Sequence, residues 1–397
     1  MKALKILTCV FALIIGLCGS FVLMNYLNLP DSYEIPQTTE GSSGATEGGD
    51  IDVDMVKSND LSIHFMELGN KYTGDSTFIK AGDVEMLIDA GSKSSSIQTI
   101  SNYINQYCTD GKLEYVVVTH AHEDHYAGFA TPQNTQSIFD IYEIGTIIEF
   151  AKTNKSETAT MQANYIRERN EAVTNYGTKV YNALECVNAG TIGTWTDSHA
   201  NRTYNLTTDI SFSILYQDYY EQNSTTENDY SVCLMLNQTT LSGAKHYLFT
   251  GDLEANGEKS LVNSSRNAGY LYEVDIYKAG HHGSKTSSSK ELLEVIRPKV
   301  VCVCCCCGSS EYTSKNQNQF PTQIFIDNVA QYANTDKVYV TTLCVDYKSA
   351  QFTSMNGNII VTCNSDSTDI TLSFSASAKK LKEFDWFKQN RQKPSNW

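Results

Sequence analysis

The chain has 397 residues, 41% of them hydrophobic and 19% charged, which fits a folded globular protein and excludes a disordered one. Its formal net charge of −15 repels polyanions at long range, so strong non-specific nucleic-acid binding is not expected. At this length one large core or two smaller ones can form.

Ile6 to Leu27 is a run of 22 residues without a charge, behind Lys2 and Lys5. At 1.5 Å per residue it is roughly 33 Å long, enough to cross a bilayer. The preceding lysines keep the N-terminus inside, so residues 1–28 are expected to be a single-pass membrane anchor holding the rest of the chain on the extracytoplasmic side. A cleaved signal peptide, giving a secreted protein, is the alternative, although no A-x-A-like site follows the run. Residues 29–60 include Thr38-Thr39-Glu40-Gly41-Ser42-Ser43-Gly44, the composition of a flexible spacer.

Strands are predicted at 61–68, 77–79 and 85–89, a helix at 94–107, and a buried strand at 115–119 reading Tyr-Val-Val-Val-Thr. Residues 155–176 have a polar helical pattern that suits a lid. Strands at 210–216, 231–236 and 246–250 lead to a helix at 255–262, a strand at 274–279, a helix at 288–296 and a strand at 299–306. A helix at 322–332 and strands at 337–341, 358–363 and 370–374 close the pattern. Two successive passages of strands followed by helices predict an α/β domain over 61–376, with two sheets between helical layers in a four-layer αββα sandwich.

The tail, 377–397, is basic and aromatic: from Lys379 on it carries six basic and two acidic residues with Phe384, Trp386, Phe387 and Trp397. It reads as a solvated, partly helical end, with contact to a membrane surface or an anionic cell-wall polymer as the functional alternative. Of twelve cysteines, Cys302 and Cys304 to Cys307 form one run that lacks C-x2-C metal spacing. A buried strand using cysteine as a small hydrophobe is expected, with a disulfide or soft-metal role as the alternative.

The chemistry concentrates in Thr119-His120-Ala121-His122-Glu123-Asp124-His125, directly after a buried strand. Imidazole and carboxylate suit zinc and similar divalent ions, and four such groups packed together are costly to bury unless ligated or paired. Further along the chain stand Met86-Leu87-Ile88-Asp89-Ala90-Gly91-Ser92, Leu248-Phe249-Thr250-Gly251-Asp252-Leu253 and Gly280-His281-His282-Gly283-Ser284.

These motifs, with Gly74-Asp75-Ser76, resemble the signature of the metallo-β-lactamase superfamily over about residues 61–363. The sub-pattern is similar to the hydrolase domain of ComEC-type competence proteins, associated with degradation of a DNA strand, and to phosphorylcholine esterases of cell-wall teichoic acids. The resemblance implies a metal-dependent hydrolase with two divalent ions, zinc or manganese, acting on a phosphodiester substrate such as DNA or a cell-wall polymer. It assigns His120 and His122 to one ion, and Asp124, His125 and His282 to the other, with Asp252 bridging. His281 is the alternative to His282. Asp89 would brace the metal loop, Asp124 or Asp252 would take up a proton, and Ser284, Lys285 or Thr286 would bind a phosphate oxygen.

Many members of the superfamily have another histidine ligand before the bridging aspartate. Here only His199 and His246 stand in that interval, and both read as structural, as does His64 on the first strand. Glu123 reads as a solvated carboxylate. Two further functions stay open at this point: hydrolysis of another bond (lactone, thioester, β-lactam), and a non-catalytic cell-surface binding protein on the same fold.

Overall fold

The apolar run Tyr115-Val116-Val117-Val118 forms an interior strand of the first sheet of a computed structural model that describes residues 60–397. The expected anchor and spacer fall on residues 1–59, outside the described residues. Among the described residues no helix is long and apolar enough to cross a membrane.

Strands β1 (Leu61–Phe65), β2 (Thr77–Ala81), β3 (Val84–Ile88), β4 (Lys112–Val118), β5 (Glu143–Glu149) and β6 (Lys179–Asn182) follow one another across the first sheet. β1 to β3 are antiparallel, whereas β3 to β6 are parallel, with Leu87 opposite Val116 and Val116 opposite Ile147. A parallel strand covered on both faces needs apolar residues at every position rather than at alternate ones, which is the β4 pattern.

The second sheet takes β7 (Ile192–Gly193), β8 (Thr203–Asn205), β9 (Ile210–Leu215), β10 (Cys233–Thr240), β11 (Gly243–Phe249), β12 (Ile276–Lys278), β13 (Val300–Cys307), β14 (Val338–Asp346) and β15 (Gln351–Ser354) in order. β10 and β11 form a hairpin, and β11 to β14 run parallel. The chain then returns to the first sheet as β16 (Ile359–Cys363) and β17 (Thr371–Phe374), with β16 beside β1.

The strand period of two decides which residues face which layer. On β10, Leu234 and Leu236 enter the core between the sheets, whereas Cys233 and Met235 face the outer helices. The cysteine strand divides the same way: Cys302 and Cys304 point between the sheets, and Cys305 and Cys307 point outward. All five cysteines of the run are buried and free, as a strand of small hydrophobes requires. Phe65 stacks on Phe249 across the inter-sheet core at 6.1 Å. With helices Ile97–Ile104 and Thr160–Tyr176 contributing to the core cluster of the first sheet, and Ala255–Asn263, Lys290–Ile296 and Gln323–Asn328 or their residues in the outer cluster of the second, the architecture is the expected αββα sandwich.

Two expectations are corrected. The helix at Thr160–Tyr176 is not a lid: fully buried Tyr165 packs against Tyr126, Phe139 and Phe150, and its hydroxyl bonds Glu149 at 2.6 Å. The tail is not simply solvated either, because Leu381, Phe387 and Trp397 join the outer core of the second sheet. Its charges are also engaged: Lys380 and Lys382 pair with Asp336, and buried Arg391 donates to the carbonyls of Pro321 and Gln319.

His64 is fully buried on β1, with Tyr103 Oη 2.8 Å from Nδ1 and Ser62 Oγ 2.9 Å from Nε2. Burial lowers its pKa to about 3, below the ordinary 6.5. A lowered folded-state pKa means that stability is full above about 6.5 and is lost as pH falls toward 3, by roughly 4–5 kcal/mol at the limit. Denaturant titrations at pH 7 and pH 4.5 are therefore expected to show a smaller acid loss for His64→Asn than for wild type. An equal loss in both would remove His64 as a cause.

Candidate metal centre

The metal loop leaves the C-terminal end of β4, Asp89 follows β3, Asp252 follows β11, and His281 and His282 follow β12. Parallel neighbours direct their C-terminal ends the same way, so residues from distant parts of the sequence meet outside the strand ends of both sheets. Three backbone hydrogen bonds tie the loops together: Asp75 N–H to Asp124 O (2.9 Å), Ala90 N–H to His125 O (2.7 Å) and Gly91 N–H to Asp75 O (3.0 Å). Gly91 is required at that crossing, because a Cβ there would lie 1.7 Å from the Asp124 carbonyl oxygen. His281 and His282 both adopt left-handed backbone (φ 45° and 55°), which sends the two rings in different directions.

His282 is the one that enters the centre. Its Nε2 lies 3.3 Å from His125 Nε2, 3.3 Å from Asp252 Oδ2 and 3.4 Å from Asp124 Oδ2, and His125 Nε2 lies 3.1 Å from Asp252 Oδ2. On the other side His120 Nε2 faces His122 Nδ1 at 3.1 Å, and the His120 ring sits 4.2 Å from that of His125. His281 stays at the rim, with Nε2 3.9 Å from Asp252 Oδ2 and Nδ1 3.0 Å from Thr286 Oγ1.

The nitrogens that turn away from the centre are held by fixed partners. Asp89 accepts from Thr119 N–H (2.8 Å) and Thr119 Oγ1 (2.7 Å) and contacts His125 Nδ1 at 2.7 Å. The Cys304 carbonyl lies 2.8 Å from His282 Nδ1. Behind both rings lies Asp75, 3.3 Å from His282 Nδ1 and 3.8 Å from His125 Nδ1, in a buried ion pair with Lys278. Asp75 contacts these rings on the Nδ1 side and can orient them, and Asp75, His125, Asp252 and His282 form a buried group whose donor atoms all lie within 4.8 Å of one another.

The donor set fits divalent metal ions. Ligand atoms about 2.0–2.1 Å from a tetrahedral zinc ion lie roughly 3.3–3.4 Å from one another, which is the spacing of His282 Nε2 from His125 Nε2, Asp252 Oδ2 and Asp124 Oδ2. Asp252 Oδ1 is buried without a hydrogen-bond partner, a costly arrangement that a cation relieves. Electrostatics agree. Burial would lower the pKa of His125, but Asp252 and Asp89 outweigh it and raise it to about 10, and His282 is raised by Asp252 and Asp75 in the same way. Burial holds His120 and His122 below their usual range, hence neutral. A cation entering the centre takes the place of the protons on His125 and His282.

Above the centre is a cleft of about 570 Å³, with His122, Asp124, Asp252 and His281 at its base. Tyr312 and Phe320 form one wall, and Tyr312 Oη donates to Asp124 Oδ2 at 2.7 Å. Lys93, Lys155, Glu123 and Glu311 complete the lining. Ser284, Lys285 and Thr286, expected to bind phosphate, do not line this cleft. The left-handed pair at His281 and His282 turns the chain away, Lys285 Nζ reaches Asn318 (3.3 Å), and Thr286 is spent on His281. Neither His199, on an exposed loop, nor His246, stacked on Tyr272 at 4.4 Å, enters the centre. Asp75, Lys278, Glu311 and Tyr312 are the site groups that sequence reasoning left without a role; Gly74-Asp75-Ser76 was visible as a motif, whereas no local pattern marks the other three.

Residues 69–136, which include Asp75, Asp89 and the whole metal loop, match the family model described as the Metallo-beta-lactamase superfamily. The chain is 36% identical over 62 residues to ComE operon protein 3 of Bacillus subtilis (strain 168), covering 16% of this chain and 8% of that protein. It is 34% identical over 77 residues to Recombination protein 2 of Haemophilus influenzae (strain ATCC 51907 / DSM 11121 / KW20 / Rd), covering 19% and 8%. The match thus spans less than a tenth of the length of these curated relatives. Among solved structures, the metallo-beta-lactamase fold protein YhfI from Bacillus subtilis aligns with TM-score 0.35 and 10% identity, over 71% of this chain and 86% of that one. Unliganded yeast PDE1 aligns with TM-score 0.36 and 8% identity, over 71% and 87%.

Proposed function

We propose that the chain, whose residues 69–136 match the metallo-β-lactamase superfamily model, is a member of that superfamily and a metal-dependent phosphodiesterase or nuclease acting on the extracytoplasmic side of a membrane. The observation that carries this reading is that His282 Nε2 lies at ligand spacing from His125, Asp252 and Asp124, close to the loop that carries the His120–His122 pair. His120 and His122 would hold one ion, Asp124, His125 and His282 the other, and Asp252 would bridge them. When bound there, two divalent ions such as zinc or manganese would supply Lewis acidity and would lower the pKa of water from 15.7 to about 7.

The protein's own groups do the rest. Asp89 and the Cys304 carbonyl fix ring orientation, so the donor nitrogens need no reorganisation when substrate arrives. Tyr312 holds Asp124 Oδ2, and the Tyr312–Phe320 wall excludes water from one side of the cleft. Asp124 or Asp252 accepts the proton of the attacking water. His281, with Nδ1 fixed by Thr286, sits at the rim of the cleft where its ring can hydrogen-bond a substrate oxygen.

The test is hydrolysis of bis(p-nitrophenyl) phosphate, single-stranded DNA and a choline-phosphate ester by the purified protein with zinc or manganese. The expected result is turnover of at least one phosphodiester, loss with a chelator, and recovery on adding metal back. A metal-loaded protein that turns over none of them would reject the phosphodiester assignment.

A further inference from the structure

We infer that Lys155 forms an anion subsite beside the metal centre that takes a second phosphate of the substrate, one linkage away from the group hydrolysed. This inference rests on the proposed phosphodiesterase reading. The cleft wall contains two lysines, and they differ. Lys93 Nζ lies 2.5 Å from Glu123 and 4.8 Å from the Tyr72 ring centroid, so its charge is already engaged. The Lys155 ammonium has no carboxylate, carbonyl or ring partner among the described residues. The same cleft contains Glu123, Asp124, Asp252 and Glu311, and none of these carboxylates pairs with Lys155.

The backbone of the Lys155 loop is anchored. Asn154 N–H donates to Glu227 Oε2 (2.7 Å), Tyr230 Oη donates to Asn154 Oδ1 (3.2 Å), and Lys155 N–H donates to Thr153 Oγ1 (3.0 Å). Lys152 Nζ ties the same loop to the Glu221 carbonyl at 2.6 Å. Glu227 is only 4% exposed, and its other oxygen accepts from Ala121 N–H of the metal loop at 3.4 Å. One buried carboxylate therefore joins the Lys155 loop to the loop carrying His120 and His122. The Lys155 backbone is thus anchored to the metal loop, and its ammonium, in the lining of the same cleft as His122, Asp124 and Asp252, carries an uncommitted charge suited to an anion that arrives with the substrate. A single phosphate at the metals leaves this charge unmatched, whereas an interior linkage of a phosphodiester polymer satisfies both positions.

The test compares thymidylyl-thymidine, which has one phosphodiester, with its 5′- and 3′-phosphorylated forms. For wild type, one of the phosphorylated forms is expected to show a KM at least about tenfold lower. Lys155→Gln should bring the KM ratio close to one with bound metal unchanged, and Lys155→Arg should retain the preference. Calorimetric binding of the same three compounds to the zinc-loaded proteins keeps the subsite separate from the activity. If wild type hydrolyses none of them yet binds a phosphorylated form about tenfold more tightly, and Lys155→Gln loses that margin, the subsite stands and the proposed activity fails. Equal wild-type affinities for all three, or a preference that survives in Lys155→Gln, overturns the subsite.

Discussion

Replacing Asp252 by alanine is expected to reduce phosphodiester hydrolysis by roughly 10³-fold or more while leaving a folded protein. Asp252 Oδ2 is the carboxylate oxygen that approaches both His125 (3.1 Å) and His282 (3.3 Å), and Oδ1 is buried without a hydrogen bond. Its loss removes the carboxylate oxygen shared by His125 and His282, and with it the group proposed to serve both ions, which loss of a terminal ligand does not. The variant also strands buried imidazoles whose charge Asp252 balances, so a destabilisation of about 1–3 kcal/mol is expected. The two hydrophobic clusters do not involve Asp252 and keep the sandwich assembled. Circular dichroism and denaturant titration beside the assay separate lost chemistry from lost fold. Full activity in a folded Asp252→Ala protein would contradict a two-metal mechanism.

Gly91→Ala is expected to have a comparable effect by a different route. The added Cβ would meet the Asp124 carbonyl oxygen at 1.7 Å, its carbon at 2.1 Å and His125 N at 2.7 Å. All three are backbone atoms, so no rotamer change relieves the contact, and the segment carrying Asp124 and His125 must move. A loss of ~3 kcal/mol or more in stability, together with loss of bound metal, is expected. A variant with wild-type midpoint and metal content would show that this crossing is looser than described.

Much of the site was readable because its donors are local in the sequence. Three histidines and an aspartate fall within six residues after β4, Asp89 ends the β3 segment, and Asp252 ends the β11 segment. What could not be read depends on contacts between distant segments. The Asp75–Lys278 pair joins the approach to β2 with the end of β12, and neither partner's neighbours signal the other. Tyr312 and Glu311 lie on the polar loop after β13, which carries no periodic pattern. Choosing His282 over His281, and turning Ser284, Lys285 and Thr286 away from the cleft, both depend on two consecutive left-handed residues that sequence does not announce at histidine.

The same distinction holds for the fold. Strands with long apolar runs, β4 and β13 above all, were placed within a few residues. β7 and β8 span two and three residues, too short for a period of two to emerge. β5 has the apolar run Ile144-Gly145-Thr146-Ile147-Ile148 between glutamates, and β6 follows the long polar helix closely enough to be hidden by it. The tail was misjudged because its lysines dominate its composition, while Leu381, Phe387 and Trp397 determine its packing.

Metal analysis of wild type and Asp252→Ala, purified side by side after exposure to zinc or manganese, tests the central claim most directly. Two divalent ions per wild-type chain, and one or none in the variant, are expected. A folded wild type that retains no metal, or a variant that retains both ions, would contradict that claim.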